Sequence, residues 1–435
     1  MNRPVTDQPM LSGYPRGDGR KGIRNVVAVA YLVECARHVA REIVAQFKPL
    51  FGDADFDVAN AHHAAPEVHL IGFPGCYPNR YAEKMMERIA THPNVGAVLF
   101  VSLGCESMDK HYLADVVRAS GRPVDVLTIQ ERGGTCSTIQ QGVEWIHHVR
   151  ELLREQPTVP MRLDELITGA ICGGSNGTSR IAANRAVDRA LVMLIAEGAA
   201  CVFDRTAACE YEIKSCEARP ELADAIIHCL AKATRYSRTV GRGGFAVGNA
   251  GGGLMMQEKK SLDACANSDA LPDVGIVKPG DILLTGGLYL LECGAGRRAT
   301  FGLPKISDNA EIRELIACGC HGILSTTGRA PVVGSAISPV ITVCAHPTMF
   351  RNLCGDMDVD AGHVLEGCST LDQIGRGLFS LTVAVANGTR SKSEMLEHRE
   401  FITSCNSFEP IGPACLPASA HDEMLHKKSL GLMAA

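Results

Sequence analysis

The sequence predicts an α/β protein of two domains with mainly parallel, doubly wound (Rossmann-like) sheets. Short apolar runs alternate with amphipathic runs of helical spacing, a pattern typical of a parallel sheet covered by helices on both faces. The chain has 435 residues, a length that favours more than one domain. The segment REQPTVPMRLDE, at residues 154–165, carries two prolines and several charges. We therefore predict domains of residues 1–157 and 165–435 on either side of it.

Four strand–helix pairs fill the first domain. Each predicted strand is apolar throughout, and each helix after it repeats apolar residues every three or four positions. The strands are predicted at residues 25–33, 68–73, 95–103 and 124–130, and the helices at 34–47, 80–92, 108–120 and 137–155.

The second domain repeats the alternation with a long interruption. We predict strands at residues 166–173, 199–204, 321–328 and 339–346, and helices at 179–198, 311–319 and about 370–388. The intervening residues 240–310 are rich in glycine and give no clear assignment.

The composition excludes several classes of function. The net charge is −5 and no basic patch stands out, which disfavours nucleic acid as a partner. No apolar run reaches the roughly 18 residues of a membrane span, and the first ten residues have no apolar signal segment. The 18 cysteines are scattered, many of them inside apolar runs, so we expect a reduced, cytoplasmic protein rather than a disulfide scaffold.

Thiol and carboxyl side chains follow the predicted strands of the first domain, where open parallel sheets bind ligands. Cys35 follows the first strand, Cys76 the second, Cys105 and Glu106 the third, and Gln130 the fourth. Two interpretations remain open. Cysteine suits a tight turn between strand and helix, and thiolates with carboxylates also suit a soft or borderline metal such as iron. On the second interpretation the ligands are Cys76, Cys105, Glu106 and Cys172, all at predicted strand ends.

The segment CGGSNGTS, at residues 172–179, is a glycine-rich turn before a helix. It matches neither the phosphate-binding motifs GxxxxGK[ST] and GxGxxG nor the nucleophile motif GxSxG. One interpretation is an ordinary polar helix cap. The other is a pocket for a small carboxylate or sulfonate, held by backbone N–H groups and side chains. Its residues would be Gly173, Gly174, Ser175, Asn176, Thr178 and Ser179.

Two other polar loops favour an anionic ligand. GDGRKGIRN carries Arg20 and Arg24 before the first strand, and STTGR carries Thr327 and Arg329 after a later one. The acidic segment GDMDVDAGH lacks the glutamate that a calcium loop needs at its twelfth position, so calcium is excluded there.

The segments GDGRKGIRN, VAYLVECARHVA, HPNVGAVLFVSLGCES, CGGSNGTS, STTGR and GDMDVDAG resemble the altronate and galactarate dehydratase family, in order and over nearly the whole chain. Four more segments, IGFPGCYPN, GGLYLLE, FGLPKISDNAEI and FEPIGPACLP, resemble its sulfo-lyase branch. The resemblance implies a lyase that uses Fe²⁺ and acts on 2-hydroxy carboxylates. It implies removal of sulfite from (2R)-3-sulfolactate to give pyruvate, with dehydration of a sugar-derived 2-hydroxy acid as the alternative.

The resemblance also implies site residues and a partner. The catalytic residues would be Glu106, Gln130, Asn176 and Lys260; the substrate-binding residues would be Arg20, Arg24, Gly173, Gly174, Ser175, Thr178, Ser179, Asn249, Thr327 and Arg329. A small SAF-type subunit would complete the enzyme, in an oligomer, and would dock at the carboxyl ends of the first sheet beside residues 240–256.

Several positions depart from the family's pattern. Asn176 stands where the family has an aspartate, and GNAGGGLMMQEKKSL carries Met255, Met256 and Lys259 within a family motif. A relative that keeps the fold but has lost turnover is therefore a third hypothesis.

Overall fold

The computed structural model of the chain describes residues 9–47, 65–77, 79–172, 177–204, 274–283, 285–291, 308–328 and 333–401. In these residues the protein has the predicted α/β architecture. A four-stranded and a seven-stranded sheet are parallel throughout, and a small antiparallel sheet lies beside them.

The first large sheet has the strand order β4–β3–β5–β6. Its strands are β3 (Val26–Tyr31), β4 (Val68–Gly72), β5 (Val95–Ser102) and β6 (Val124–Thr128), and its helices are α1 (Glu34–Ala45), α2 (Arg80–Ala90), α3 (Lys110–Ala119) and α4 (Thr135–Arg154). The chain leaves β3 towards β4 on one side and returns to β5 on the other, so the carboxyl ends of β3 and β5 form a topological switch point.

The second large sheet has the order β10–β11–β9–β8–β12–β13–β14. Its strands are β8 (Ile167–Cys172), β9 (Ala200–Asp204), β10 (Val274–Val277), β11 (Gly287–Leu291), β12 (Gly322–Thr327), β13 (Val340–Cys344) and β14 (Val359–Asp360). The helices are α5 (Gly177–Ile181), α6 (Ala183–Ala196), α7 (Asp308–Ala317), α8 (Pro347–Asn352), α9 (Leu371–Ala386) and α10 (Lys392–Met395). Here the switch point lies between β8 and β12.

Alternate strand residues point to opposite faces, and both faces of each sheet are covered. Val27 and Val29 of β3 pack with α1 and α4, while Ala28 and Ala30 pack with α2 and α3. The apolar core around α2 and α3 also contains residues of α7 and of the seven-stranded sheet, so one helical layer lies between the two sheets. The far face of the seven-stranded sheet is covered by α6 and α9.

Local sequence signals explain where the helices begin. The Asp109 side chain caps α3 by accepting from the backbone N–H groups of His111 and Tyr112, both at 3.0 Å. Thr370 and Gln373 form a reciprocal capping box at the start of α9.

The structure adds strands that the sequence pattern did not predict. β1 (Leu11–Pro15) pairs antiparallel with β2 (Lys21–Gly22) and with β7 (Val159–Met161), and β7 lies inside the segment interpreted as a domain boundary. β10 and β11 lie in the glycine-rich region that was left unassigned. These strands are short, so periodicity could not reveal them.

Candidate active site

The switch point of the seven-stranded sheet brings together the strand ends that precede two of the predicted polar loops. At its carboxyl edge Cys172 of β8 pairs in register with Thr326 of β12, and Thr327 pairs with Cys344 of β13. Adjacent strands lie about 4.8 Å apart. The carboxyl ends of β8 and β12 therefore lie side by side, at the point where doubly wound folds bind ligands.

Hydrogen bonds fix the carboxyl end of β12 to its neighbours. Thr326 Oγ1 donates a hydrogen bond of 2.6 Å to Oδ1 of Asn184 on α6, and both side chains are buried. Ala345 donates its backbone N–H to the carbonyl of Thr327 at 2.8 Å. Sequence reasoning overlooked Asn184 because a polar residue in an amphipathic helix gives no sign of its partner.

The described part of the CGGSNGTS loop continues directly into helix. Cys172 ends β8 as a buried residue, Thr178 and Ser179 lie in α5, and Ser179 is fully buried. Thr178 and Ser179 thus bring hydroxyl groups to the helix that follows β8, and hydroxyl groups suit carboxylate or sulfonate oxygens.

The carboxyl edge of the four-stranded sheet brings Glu106 and Gln130 together around Gly104. Glu106 Oε2 accepts the backbone N–H of Gly104 at 2.9 Å. Gly104 has a φ of +126°, and a Cβ added there would lie 2.5 Å from Gln130 Oε1. The positive φ favours glycine at this position, and the side chains of Glu106 and Gln130 both lie beside it.

A lysine at this edge was not predicted. Lys110 Nζ donates to Thr128 Oγ1 at 2.9 Å and lies 3.8 Å from Glu131 Oε1. Its side chain is 16% exposed, which leaves the ammonium group close to the ends of β5 and β6. The sequence did contain a sign of this role, because Lys110 is the first residue of the helix that follows β5.

Four exposed cysteines line the same edge. Cys35 lies in the first turn of α1, Cys76 follows β4, Cys105 follows β5, and Cys136 lies in the first turn of α4. The loops of Cys76 and Cys105 adjoin, because Ser107 donates its N–H to the Cys76 carbonyl at 3.2 Å.

The predicted metal ligands are not assembled as a set. Among the residues that the structure describes, no three His, Cys, Asp or Glu side chains converge in a way that could hold a metal ion. Cys76, Cys105 and Glu106 follow strands of one sheet, whereas Cys172 ends a strand of the other and is buried. The four-ligand set is therefore corrected. The rule that ligands bind at the carboxyl ends of parallel strands predicts such an edge, but it does not tell to which of two sheets each residue belongs.

Arg24 is not at the site. It precedes β3 at the amino edge, and all five of its N–H donors are used within the protein. Nε and Nη2 bind the Glu394 carboxylate at 2.7 and 3.0 Å, and the other contacts are backbone carbonyls of residues 23, 385 and 389. The prediction that Arg24 binds substrate is wrong, since no donor remains for an external anion.

Arg20 also lies at the amino edge. Its Nη2 contacts Asp18 at 2.7 Å and the Thr91 carbonyl at 2.6 Å, just before β5. Arg122 also contacts Asp18, at 2.9 Å. The structure therefore places Arg20 in an ion-pair network at the amino edge, and its assignment to the substrate stays a prediction.

The remaining predicted site residues lie outside the described part of the chain: Gly173, Gly174, Ser175, Asn176, Asn249, Lys260 and Arg329, with the segment 240–256. No helix among the described residues is long and apolar enough to cross a membrane.

The fold and this edge define a doubly wound α/β protein whose ligand edge carries glycine turns, hydroxyls and thiols. Two family models cover the chain. The C-terminal domain of D-galactarate/altronate dehydratase matches residues 163–407, and the second domain of D-galactarate dehydratase/altronate hydrolase matches residues 13–154. The chain belongs to the D-galactarate/altronate dehydratase family.

Individual relatives are similar over most of the chain. The (2R)-sulfolactate sulfo-lyase subunit beta of Chromohalobacter salexigens is 27% identical, over 90% of this chain and 96% of that protein. The altronate dehydratase of Escherichia coli is 25% identical, over 89% of this chain and 76% of that protein. The galactarate dehydratase (L-threo-forming) of Escherichia coli is 24% identical, over 87% and 73%.

Proposed function

We propose that the chain is the large subunit of a lyase that eliminates sulfite from (2R)-3-sulfolactate and releases pyruvate. The observation that carries the proposal is the pairing of Cys172 with Thr326 at the switch point of the seven-stranded sheet. This pairing brings together the strand ends that precede GGSN and GR, and we propose that a small dianion is bound beside them.

The relatives favour the sulfo-lyase over the dehydratases. The alignment covers 96% of the sulfo-lyase subunit beta, against 76% of the altronate dehydratase. The sulfo-lyase relative is a subunit beta, which supports a two-part enzyme. We propose a small SAF-type subunit as the partner of this chain.

The reaction needs two anionic groups held and one proton removed. Sulfolactate carries a carboxylate at C1 and a sulfonate at C3. Backbone N–H groups and hydroxyls at the edge, including those of Thr178 and Thr327, suit these oxygens. Holding both groups fixes the C2–H bond relative to a base and aligns the C3–S bond for departure.

Fe²⁺ is proposed as the cofactor on the family resemblance alone. The described residues contain no group of three candidate ligands, so no step of the reaction is assigned to the metal.

The second candidate is a dehydratase of a sugar-derived 2-hydroxy acid, favoured by the similarity to altronate and galactarate dehydratases. The same edge would hold the carboxylate, and water would leave from C3 in place of sulfite. A relative without turnover is the third candidate, because Asn176 and neighbouring positions depart from the family's pattern.

One assay separates the three. The chain is combined with the small subunit and Fe²⁺ without oxygen, and supplied in turn with (2R)-3-sulfolactate, altronate and galactarate. Sulfite and pyruvate in equal amounts from sulfolactate are expected. A 2-oxo acid from the sugar acids without sulfite from sulfolactate would establish the dehydratase. No product from any substrate, with both subunits folded and associated, would leave the inactive relative.

A further inference from the structure

A cavity lies at the amino edges of the two large sheets, and its volume is about 90 Å³. Both halves of the chain line it. Tyr14 and Arg154 come from the first half, and Pro339 and Arg399 come from the second. Roughly 10–15 Å³ of such volume admits one water molecule, so the cavity has room for one small molecule of several non-hydrogen atoms.

Strand β13 separates this cavity from the candidate active site. Pro339, which lines the cavity, directly precedes β13, whereas Cys344 ends β13 and pairs with Thr327 at the carboxyl edge. A strand rises about 3.3 Å per residue, so the two ends of this five-residue strand lie about 13 Å apart. A ligand in the cavity would therefore occupy a different place from the substrate.

Arginines outnumber carboxylates around the cavity. Among the residues that the structure describes, its lining contains four arginines and two glutamates: Arg24, Arg154, Arg390, Arg399, Glu67 and Glu394. Glu394 is the partner of Arg24, which it binds at 2.7 and 3.0 Å. Glu67 is shared by Arg390 and Arg399. The charged side chains of the lining therefore carry more positive than negative charge.

The Glu67 carboxylate already has partners at both oxygens. Its Oε2 accepts from His69 Nε2 and from Arg399 Nη2, both at 2.8 Å, and its Oε1 accepts from Arg390. Burial alone would raise the pKa of Glu67, but the hydrogen bond from His69 and the charges of His69, Arg390 and Arg399 lower the pKa well below its usual value. Glu67 is thus a permanent anion, and one carboxylate serves two guanidinium groups.

Arg399 keeps hydrogen-bond donors for a further group. Within the described part of the chain only its Nη2 is hydrogen-bonded, so Nε and Nη1 have no acceptor there. Glu397 Oε1 lies 3.9 Å from Nη2, which is too far for a hydrogen bond. Arg154 pairs with Glu151 of its own helix at 2.5 Å and is 50% exposed. Since Arg154 lines the cavity, solvent reaches the cavity beside these two arginines.

We propose that this cavity binds a small oxyanion through Arg399 and Arg154. Guanidinium groups bind carboxylate, sulfonate and phosphate oxygens by charge-assisted hydrogen bonds. An anion here would offset the excess of positive charge and would accept from the unused donors of Arg399. The volume of the cavity suits an anion of the size of phosphate, sulfate, sulfite or pyruvate. A bound anion should also raise the thermal midpoint, because it binds the folded chain alone.

The test measures binding to the complete chain by calorimetry and by thermal midpoint. Phosphate, sulfate, sulfite and pyruvate are titrated one at a time, with chloride holding the ionic strength constant. We expect saturable binding of at least one anion and about 10–100-fold weaker binding in Arg399→Gln and in Arg154→Gln. The matched control is Arg118→Gln. Arg118 pairs with Asp115 three residues away on its own helix, is 63% exposed and is not among the residues that line the cavity, so this variant should bind like wild type.

The two variants keep the proposal falsifiable. In Arg399→Gln the Glu67 carboxylate retains Arg390 and His69, and Arg154→Gln removes only an exposed ion pair, so both should stay folded. Binding of only sulfite or pyruvate would support a site for the products of the proposed reaction, and binding of phosphate or sulfate would support a site for inorganic anions. Saturable binding of none of the four, or wild-type affinity in both variants, would overturn the proposal. Neither result depends on whether the chain turns over sulfolactate.

Discussion

At the scale of single residues, Arg24 shows why a conspicuous charge need not bind a ligand. Its guanidinium joins the start of β3 to residues 385–394 through the Glu394 carboxylate and three carbonyls. Burial alone would lower its pKa, but the charge of Glu394 and the hydrogen bond to it raise the pKa above its usual value. Arg24 is thus a permanent cation with a fixed partner.

Replacing Arg24 by methionine should destabilise the protein and leave substrate binding alone. The change leaves the Glu394 carboxylate without its cation and three carbonyls without donors, so we expect a loss of about 3–5 kcal/mol in the free energy of unfolding. The measurement is urea unfolding beside KM. The control is Arg37→Met, an exposed pair with Glu34 that should cost under about 1 kcal/mol. A raised KM with an unchanged unfolding midpoint would instead show that Arg24 binds the substrate.

The cysteines at the edge of the four-stranded sheet give a prediction about the metal. Because Cys76 and Cys105 belong to no three-ligand group among the described residues, the double variant Cys76→Ser, Cys105→Ser should keep its iron after anaerobic loading. The measurement is iron per chain by mass spectrometry, beside a Cys35→Ser, Cys136→Ser control. Loss of iron in the first variant alone would restore these two thiols as ligands.

At the scale of elements, the site depends on how β12 is fastened to α6. The 2.6 Å bond from Thr326 to Asn184 ties the last residues of β12 to the first turn of α6. The helix that follows the CGGSNGTS turn is thereby fixed relative to the strand that carries STTGR.

Thr326→Val keeps the side-chain shape and removes that bond. It leaves the amide oxygen of buried Asn184 without this donor, and we expect a loss of about 1–3 kcal/mol in the free energy of unfolding. Thr342→Val on β13 is the matched control, since Thr342 is equally buried on the neighbouring strand and bonds Asp358 through its backbone N–H, which the substitution keeps. Equal urea-unfolding midpoints for the two variants would show that the bond from Thr326 to Asn184 does not contribute to stability.

The long helices and strands could be predicted from the sequence, but the short strands and the contacts between distant segments could not. The helix of α1 and the continuous burial of β5 follow from periodicity, because apolar spacing directly reports which faces are covered. β1 and β7 were missed, since their pairing connects Leu11 with Met161 and depends on a partner far along the chain. The predicted substrate role of Arg24 was wrong for a related reason. A sequence gives the residue type in a loop but not the acceptors that the fold brings to it.

At the scale of the whole molecule, the amino edges of the two sheets meet around a pair of buried histidines. Asn94 N–H donates to His92 Nδ1, and Ile167 N–H donates to His321 Nδ1, both at 3.0 Å. Each ring therefore carries its hydrogen on Nε2, which bonds to the carbonyl of Cys320 or of Lys21. Burial lowers the pKa of His321 to about 4 and that of His92 well below its usual value.

These neutral rings make stability depend on pH in one direction. The folded pKa of His321 lies below the unfolded value of about 6.5, so its contribution is complete above pH 6.5 and is lost as pH falls towards 4. At 1.36 kcal/mol per pKa unit, His321 alone should cost about 3 kcal/mol between pH 7 and pH 4. Urea unfolding across this range should show the loss, with a shallower slope in His321→Gln than in the exposed control His38→Gln. Parallel slopes would contradict it.

The helical layer between the two sheets has a thermodynamic consequence. Apolar residues of this layer pack against both sheets. Unfolding either sheet would therefore expose apolar surface on the layer and weaken its packing against the other sheet. The two sheets should then melt as one cooperative unit rather than one after the other. In a calorimeter the chain would give a single endotherm whose van't Hoff and calorimetric enthalpies agree, although sequence alone divides it in two.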